Sequence, residues 1–518
     1  MSRLRHFTQG VAFSWLATIA TVIYSLLSVP IALRFLTISE FALLMLVQQT
    51  AAYFALADFG MTAATARLLI DQKDRPDDPR YGSLILAGGA ICLLQALAIL
   101  IGGWISAPFI IAAFGIEAAH APVAVGLLRW LAVAFSIGAA LRIFSSILYA
   151  NRRIDLVVML MSLVPLLGLV LMWTVLSSGL GLPGMAWAFV IPAMVAGVGA
   201  GAAVFLLGLW PEHSAWRQPS KVQFREMFVL GKDMFLINVG NQILEASQLM
   251  IVTRTMGLGA AAIWSVSSKL FTLVYQLVTK VEGTAIVFFS EMMVRGERER
   301  LALRFRHVYQ MTAGLAVVAL GAAAAINTPF VSVWAKPDLA WAMPLSLLLG
   351  FSTLLNCLAK CQSDLIMHSK NIRGLRYIYF IEALVFVLVA LWASAHIGFY
   401  GVLIPAIVCA VVFRGIYLFK RTAAYFQTPA RIYVWSWLRR SLTAAILLAP
   451  FVISSPSISS WTTNSWLALG LTSLWIVIPG TAMLTLVAFP RELRSEMVCQ
   501  LNRILPFAWR TSSVPPNK

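Results

Sequence analysis

Inside long apolar runs of this 518-residue chain, polar and ionisable side chains recur at helical spacing, and their types define the chemistry open to it. Asn238, Asn241, Gln242, Glu245 and Gln248 share one helix face, because residues three or four apart lie one above the other. Ser265, Ser268, Lys269, Thr272, Gln276, Thr279 and Lys280 make a second stripe, with Tyr275 beside it and Glu282 near its end. Gln48, Gln49, Thr50, Tyr53 and Asp58 form a third, Thr353, Asn356, Lys360 and Asp364 a fourth, and Ser14, Thr18, Thr21, Ser25 and Ser28 a milder fifth. Amides and hydroxyls hydrogen-bond a polar ligand, an ammonium attracts an anion, and a partly desolvated carboxylate exchanges a proton or a cation.

Each group also has a structural reading. Hydroxyls at such spacing can join helices, Asp58 can be interfacial, and Lys360 and Asp364, one turn apart, can neutralise each other. Arg129 and Arg142 can snorkel to opposite surfaces. Two neighbouring stripes as polar as those at 238–248 and 265–280 nevertheless predict a wet cavity, since an ionisable group facing lipid costs about 2.5 to 3.5 kcal/mol on insertion scales.

Catalytic signatures are missing. The six histidines (His6, His120, His213, His307, His368, His396) show no metal-ligand spacing, so no metal is expected. Gly197, Gly199 and Gly201 lie within an apolar run without the strand a phosphate loop requires, and read as small residues for close helix packing. Cys92, Cys357, Cys361 and Cys409 fall in spans and Cys499 in the tail, which supports no disulfide framework. No cofactor is expected.

The elements that carry the stripes follow from composition. Of the residues, 60% are hydrophobic and 12% charged, and the mean hydropathy is +0.84, which excludes a soluble fold. Runs of about 20 apolar residues match the roughly 30 Å of a bilayer's hydrocarbon. Fourteen transmembrane helices are predicted, the first twelve near 11–33, 41–61, 83–103, 123–147, 156–177, 185–209, 229–253, 260–284, 308–333, 341–366, 377–396 and 400–418. Two more lie near 441–457 and 465–489. The first run exceeds 20 residues without a convincing cleavage site, so it reads as a retained helix rather than a signal peptide.

The net charge of +18 is mostly a topology signal rather than a sign of nucleic-acid binding. Lys and Arg crowd alternate loops, from Arg3 and Arg5 through 67–80, 152–153, 217–232, 295–306, 370–376 and 420–440 to the tail from Arg491. The opposite loops are nearly bare, with Arg254 and Lys336. Both termini are therefore expected in the cytosol. The stripes of spans 1 and 2 correspond to those of spans 7 and 8, and an offset of 220 brings Arg34 onto Arg254 and Ala42 onto Ala262. The expectation is an all-α polytopic membrane protein: a six-helix lobe at 1–210, a second at 211–420 around a central cavity, and two further helices with a tail at 421–518.

The opening Gly10-Val-Ala-Phe-Ser-Trp-Leu, the turn Leu-Thr-Ile-Ser-Glu-Phe-Ala-Leu-Leu at 36–44, and Ala57-Asp58-Phe59-Gly60-Met61 leading to Ala66-Arg67 resemble the Wzx-type polysaccharide flippases of the multidrug/oligosaccharidyl-lipid/polysaccharide exporter superfamily. That resemblance implies two six-helix lobes plus two C-terminal helices. It implies export of a polyprenyl-pyrophosphate-linked oligosaccharide across a bacterial inner membrane, for O-antigen, capsule or exopolysaccharide, with polymerase and assembly proteins as partners. Lys269, Lys280, Lys360 and Arg129 would then meet the pyrophosphate, and Asn241, Gln242, Gln276, Gln49 and Tyr53 the sugars. Glu245 or Asp58 would bind and release a coupling ion. The alternatives are a drug or cation antiporter of the same superfamily, with Glu245 and Asp58 holding the substrate, and a membrane glycan polymerase or ligase.

Overall fold

In the computed structural model the described residues are 3–72, 78–211, 216–369, 373–459 and 465–485, and they contain helices and connecting turns with no strand. The tail with Arg491 and Cys499, and His213, lie outside them. Among the described residues, thirteen stretches are long and apolar enough to cross a membrane. One of these, Phe235–Val294, is 60 residues long, about 90 Å of helix, and reverses direction in the middle, so it supplies two crossings and the total is fourteen.

The N-terminal lobe comprises α1 (Arg3–Phe35), α2 (Ile38–Ala51) with a 3-10 extension (Ala52–Asp58), α3 (Met61–Gln72), α4 (Pro79–Ala113), α5 (Ala121–Ala140), α6 (Arg142–Ala150), α7 (Ile154–Ser177) and α8 (Gly181–Leu206). α2 starts at a capping box in which the Thr37 N–H donates to Glu40 Oε2 at 2.8 Å and the Glu40 N–H to Thr37 Oγ1 at 3.3 Å. Its end is set by Phe59 and Gly60, both at positive φ, which turn the chain into the short helix α3, an element absent from the sequence expectation. α5 and α6 form one span interrupted at Leu141, and Gly197 on α8 packs directly against that leucine. The glycine run at 197–201 is thus a packing surface.

The second lobe begins with α9 (Lys221–Ser267), whose capping box links Ser220 and Gln223. Gln223 also donates to Ser83 Oγ on α4 at 2.6 Å, tying the two lobes together on the basic-loop side. Within α9, Gly257 adopts φ 84° and ψ 179°, a conformation open essentially to glycine alone, and this makes the turn between the seventh and eighth crossings. α10 (Lys269–Val294) continues the eighth crossing through Ser268. The lobe is completed by α11 (Arg298–Trp334), α12 (Met343–His368), α13 (Arg373–Ile397), α14 (Tyr400–Cys409), a π-helical turn (Ala410–Gly415) and α15 (Ile416–Tyr425). α16 (Ala430–Ser459) and α17 (Ser465–Met483) pack on each other and on α11, outside the twelve-helix body. α2 and α3 meet α9, and α1 meets α10, so the stripe-bearing helices face each other across the lobe boundary.

The outer surface is apolar: Leu94, Phe109, Trp392 and Ile478 are all well exposed. Lipid solvates such side chains where water would drive association. Arg34, at the end of α1, joins Arg254 and Lys336 on the sparsely charged side, where its guanidinium lies 5.5 Å from the Trp173 ring.

Candidate functional site

Two adjoining chambers with polar side chains in their walls lie between the lobes and within the second lobe. The larger, about 460 Å³, lies between α2, the two arms of α9, α10 and α12. Gln48 and Gln49 come from α2, Lys269 and Gln276 from α10, and Thr353 from α12. The smaller, about 200 Å³, is enclosed by α9, α10, α12, α13 and the π-helical turn, and includes Asn241, Lys360, Asp364 and Arg414. Glu245, Gln248, Tyr275, Ser352 and Asn356 line both, so the two spaces adjoin. At one end of the larger chamber stands an aromatic cluster, with Trp264 5.6 Å from Trp341 and 6.1 Å from Phe399.

The stripes converge for a helical reason. Lys269 and Gln276, seven residues apart on α10, are two turns apart on one face, and Asn241, Glu245 and Gln248 do the same on α9. Lys269 has no acidic partner among the described residues, so its positive field is directed at the chamber. Glu245 is open to both chambers. Lys360 donates to Asp364 at 2.6 Å, the bridge that their spacing allowed, and both line the smaller chamber.

Other residues expected at a site fall outside these walls. Lys280 lies eleven residues beyond Lys269, about 16 Å further along the helix. Gln242 is about 100° round from Asn241, so the stripe is wider than the cavity wall. Tyr53 sits in the 3-10 extension, whose tighter turn shifts its phase from that of Gln49. Arg129 is engaged on α4 instead: its guanidinium lies 5.0 Å from the Trp104 ring and donates to the Trp104 carbonyl at 3.3 Å. Asp58 is engaged inside the N-terminal lobe, where Arg142 donates to its Oδ1 at 2.8 Å, Thr62 donates to the same oxygen, and Gln95 Nε2 donates to its carbonyl at 2.9 Å. Arg142 therefore ends in an ion pair and does not snorkel to a surface.

A buried network that no polar stripe in the sequence marks lies on the far wall of the smaller chamber. Arg414 Nε donates to Glu382 Oε1 at 2.7 Å, its other arm donates to Asn356 Oδ1 at 2.9 Å, and the two side chains are 10% and 0% exposed. Arg414 also stacks 5.5 Å from the Tyr379 ring, whose hydroxyl is 2.6 Å from Ser363 Oγ. The π-helical turn holds Arg414, and such turns displace one residue from the regular helical face. Gly240 makes the neighbouring approach possible, since a Cβ there would lie 2.7 Å from the Tyr379 carbonyl. The available signal was a lone Glu and a lone Arg on successive apolar spans.

The two-lobed bundle of twelve crossings with two more appended, apolar outside and polar at its centre, is a polytopic membrane fold shared with solved structures. The lipid II flippase MurJ, in an inward closed conformation, superposes with a TM-score of 0.69 at 13% identity, covering 96% of this chain and 99% of that one. A multidrug resistance MATE family transporter of the MOP superfamily, inward-facing, gives 0.63 at 15% identity over 83% of this chain and 96% of that one. A MOP superfamily transporter from Pyrococcus furiosus gives 0.61 at 13% identity over 81% and 96%. By sequence, residues 7–293 match the model of the polysaccharide biosynthesis protein family, and the chain belongs to that family. No curated protein matches it.

Proposed function

We propose that this protein is a flippase that carries a polyprenyl-pyrophosphate-linked oligosaccharide across a bacterial inner membrane by ion-coupled alternating access, with both termini in the cytosol. The observation that carries this reading is the larger chamber, with Lys269, which has no acidic partner among the described residues, on one wall and the amides of Gln48, Gln49 and Gln276 around it, and with Asn241 in the adjoining smaller chamber. An ammonium in a low-dielectric cavity attracts a pyrophosphate far more strongly than it would in water, and amides supply the donors and acceptors that sugar hydroxyls require. The volume is that of a small-ligand pocket, roughly 300–1,000 Å³, which suits the headgroup while the polyprenyl tail remains in lipid. Membership in the polysaccharide biosynthesis family and the fold shared with MurJ favour a glycan-linked lipid. Glu245, open to both chambers, is the group proposed to bind the coupling ion.

The test is deletion of the gene followed by measurement of lipid-linked oligosaccharide on the cytoplasmic face and of polymer at the cell surface. Complete repeat units should accumulate inside, surface polymer should disappear, and the intact gene should restore both. Unchanged glycolipid and polymer, in a strain with no redundant flippase, would refute the proposal. One observation favours a second reading: with Glu245 and Asp364 beside Lys269 and Lys360, the chamber has mixed sign and can hold a cation. A cation antiporter would instead give efflux of organic cations that is abolished by Glu245→Gln.

A further inference from the structure

Behind the smaller chamber, α10 turns Glu282 into the body of the second lobe, where it is 1% exposed. Neither carboxyl oxygen accepts a hydrogen bond from any donor among the described residues. An ionised carboxylate in that position would have lost its hydration without replacement, which a folded protein does not sustain. One turn further along α10, Ala285 and Ile286 pack on Cys361 and Leu365 of α12, so Glu282 looks onto the stretch of α12 that carries Asp364, whose carboxylate accepts from Lys360 at 2.6 Å. The other ionisable groups facing it are Cys357 and Cys361 on α12 and Tyr275 on its own helix. Two carboxylates are both acceptors and repel; with one proton between them, one donates and the other accepts.

We infer that Glu282 and Asp364 share a single exchangeable proton, and that this pair is a buried proton site facing the smaller chamber through Asp364. Lys360 fixes the charge of the cluster: with the proton in place, one carboxylate and one ammonium cancel. Asp364 lines the chamber and Glu282 does not, so the path runs in that order. The proton passes from Glu282 to Asp364 and then to chamber water, leaving two carboxylates and the Lys360 ammonium, and returns by the reverse steps. The protonated cluster is neutral and the deprotonated one carries a single negative charge, which lies beside the Arg414 network and in the same chamber as Glu245. A cavity whose charge changes with one proton can bind an anionic headgroup in one state and release it in the other. The role in transport rests on the flippase reading; the proton does not.

The test is pH-difference infrared spectroscopy of the purified full-length protein in phosphatidylethanolamine/phosphatidylglycerol vesicles without substrate. Wild type should show a carboxylic-acid carbonyl band that disappears on alkaline titration. The band should be lost in Glu282→Gln, shifted in Asp364→Asn because its acceptor has changed, and retained in Glu245→Gln and Glu382→Gln. Wild type without a titrating acid band overturns the inference, and so does a band that persists in Glu282→Gln. A band unmoved by Asp364→Asn overturns the sharing. In the deletion strain, Glu282→Gln should flatten the pH dependence of export. If no glycan is exported by wild type while the band behaves as described, the flippase reading fails and the proton site stands.

Discussion

In the N-terminal lobe the intramembrane acid, Asp58, is closed into a pair with Arg142 and hydrogen-bonded by Thr62, away from either chamber. In the C-terminal lobe Lys269 and Glu245 face the chambers with no ion-pair partner among the described residues, and the Lys360–Asp364 bridge lies on a chamber wall. The Arg414–Glu382 pair combines both habits, since Glu382 is fully buried while Arg414 also borders the smaller chamber. On the proposed reading the contrast is a division of labour: the first lobe presents neutral hydrogen-bonding side chains, Gln48 and Gln49, to the larger chamber, and the second presents charge. The lobes are alike in helix plan, and the difference arises from whether each charge meets its opposite inside the lobe.

The largest effect expected is on stability. Arg414→Leu leaves Glu382 as an uncompensated buried charge and should destabilise the protein by about 3–5 kcal/mol in denaturation of the purified protein, with Glu382→Gln added in the same chain recovering most of it. A single variant as stable as wild type would show that the pair is solvated and would blur the comparison. Next, Lys269→Ala should leave folding intact and lower glycan export at least tenfold, since a charge-assisted contact contributes about 1.5–3 kcal/mol. Partial recovery in Lys269→Arg would sharpen the case for an anion at that position, whereas full export by the alanine variant would remove Lys269 from the site.

Smaller changes are expected in the first lobe. Asp58→Asn strands the Arg142 guanidinium and should cost about 1–2 kcal/mol of stability, with export reduced only in proportion to folded protein. If export instead fell much further than the amount of folded protein, Asp58 would have a transport role of its own and the proposed division would break. Smallest of all, Arg129→Ala forfeits a cation–π contact of about 0.5–1 kcal/mol and should leave export within twofold of wild type, measured as surface polymer.

Much of the architecture was legible because a bilayer imposes length and polarity on every crossing. The fourteen spans and the polar stripes on α9 and α10, which put Lys269, Glu245 and Gln276 on the larger chamber and Asn241 on the smaller, followed from the 3.6-residue period. Departures from that period were not legible. The 3-10 extension removed Tyr53 from the wall, the π-helical turn at 410–415 set the surroundings of Arg414, and α3 occupied residues that had read as loop.

The sequence by itself determined that the chain crosses a membrane, which faces of its helices are wet, and where the positive loops cluster, because hydropathy and helical periodicity are local properties. Only the tertiary structure decided which charges are cancelled. Asp58 finds Arg142 across 84 positions and Glu382 finds Arg414 across 32, while Lys269 meets no acid among the described residues. Electrostatic pairing depends on distance in space and on the exclusion of water, and neither is fixed by spacing along one helix.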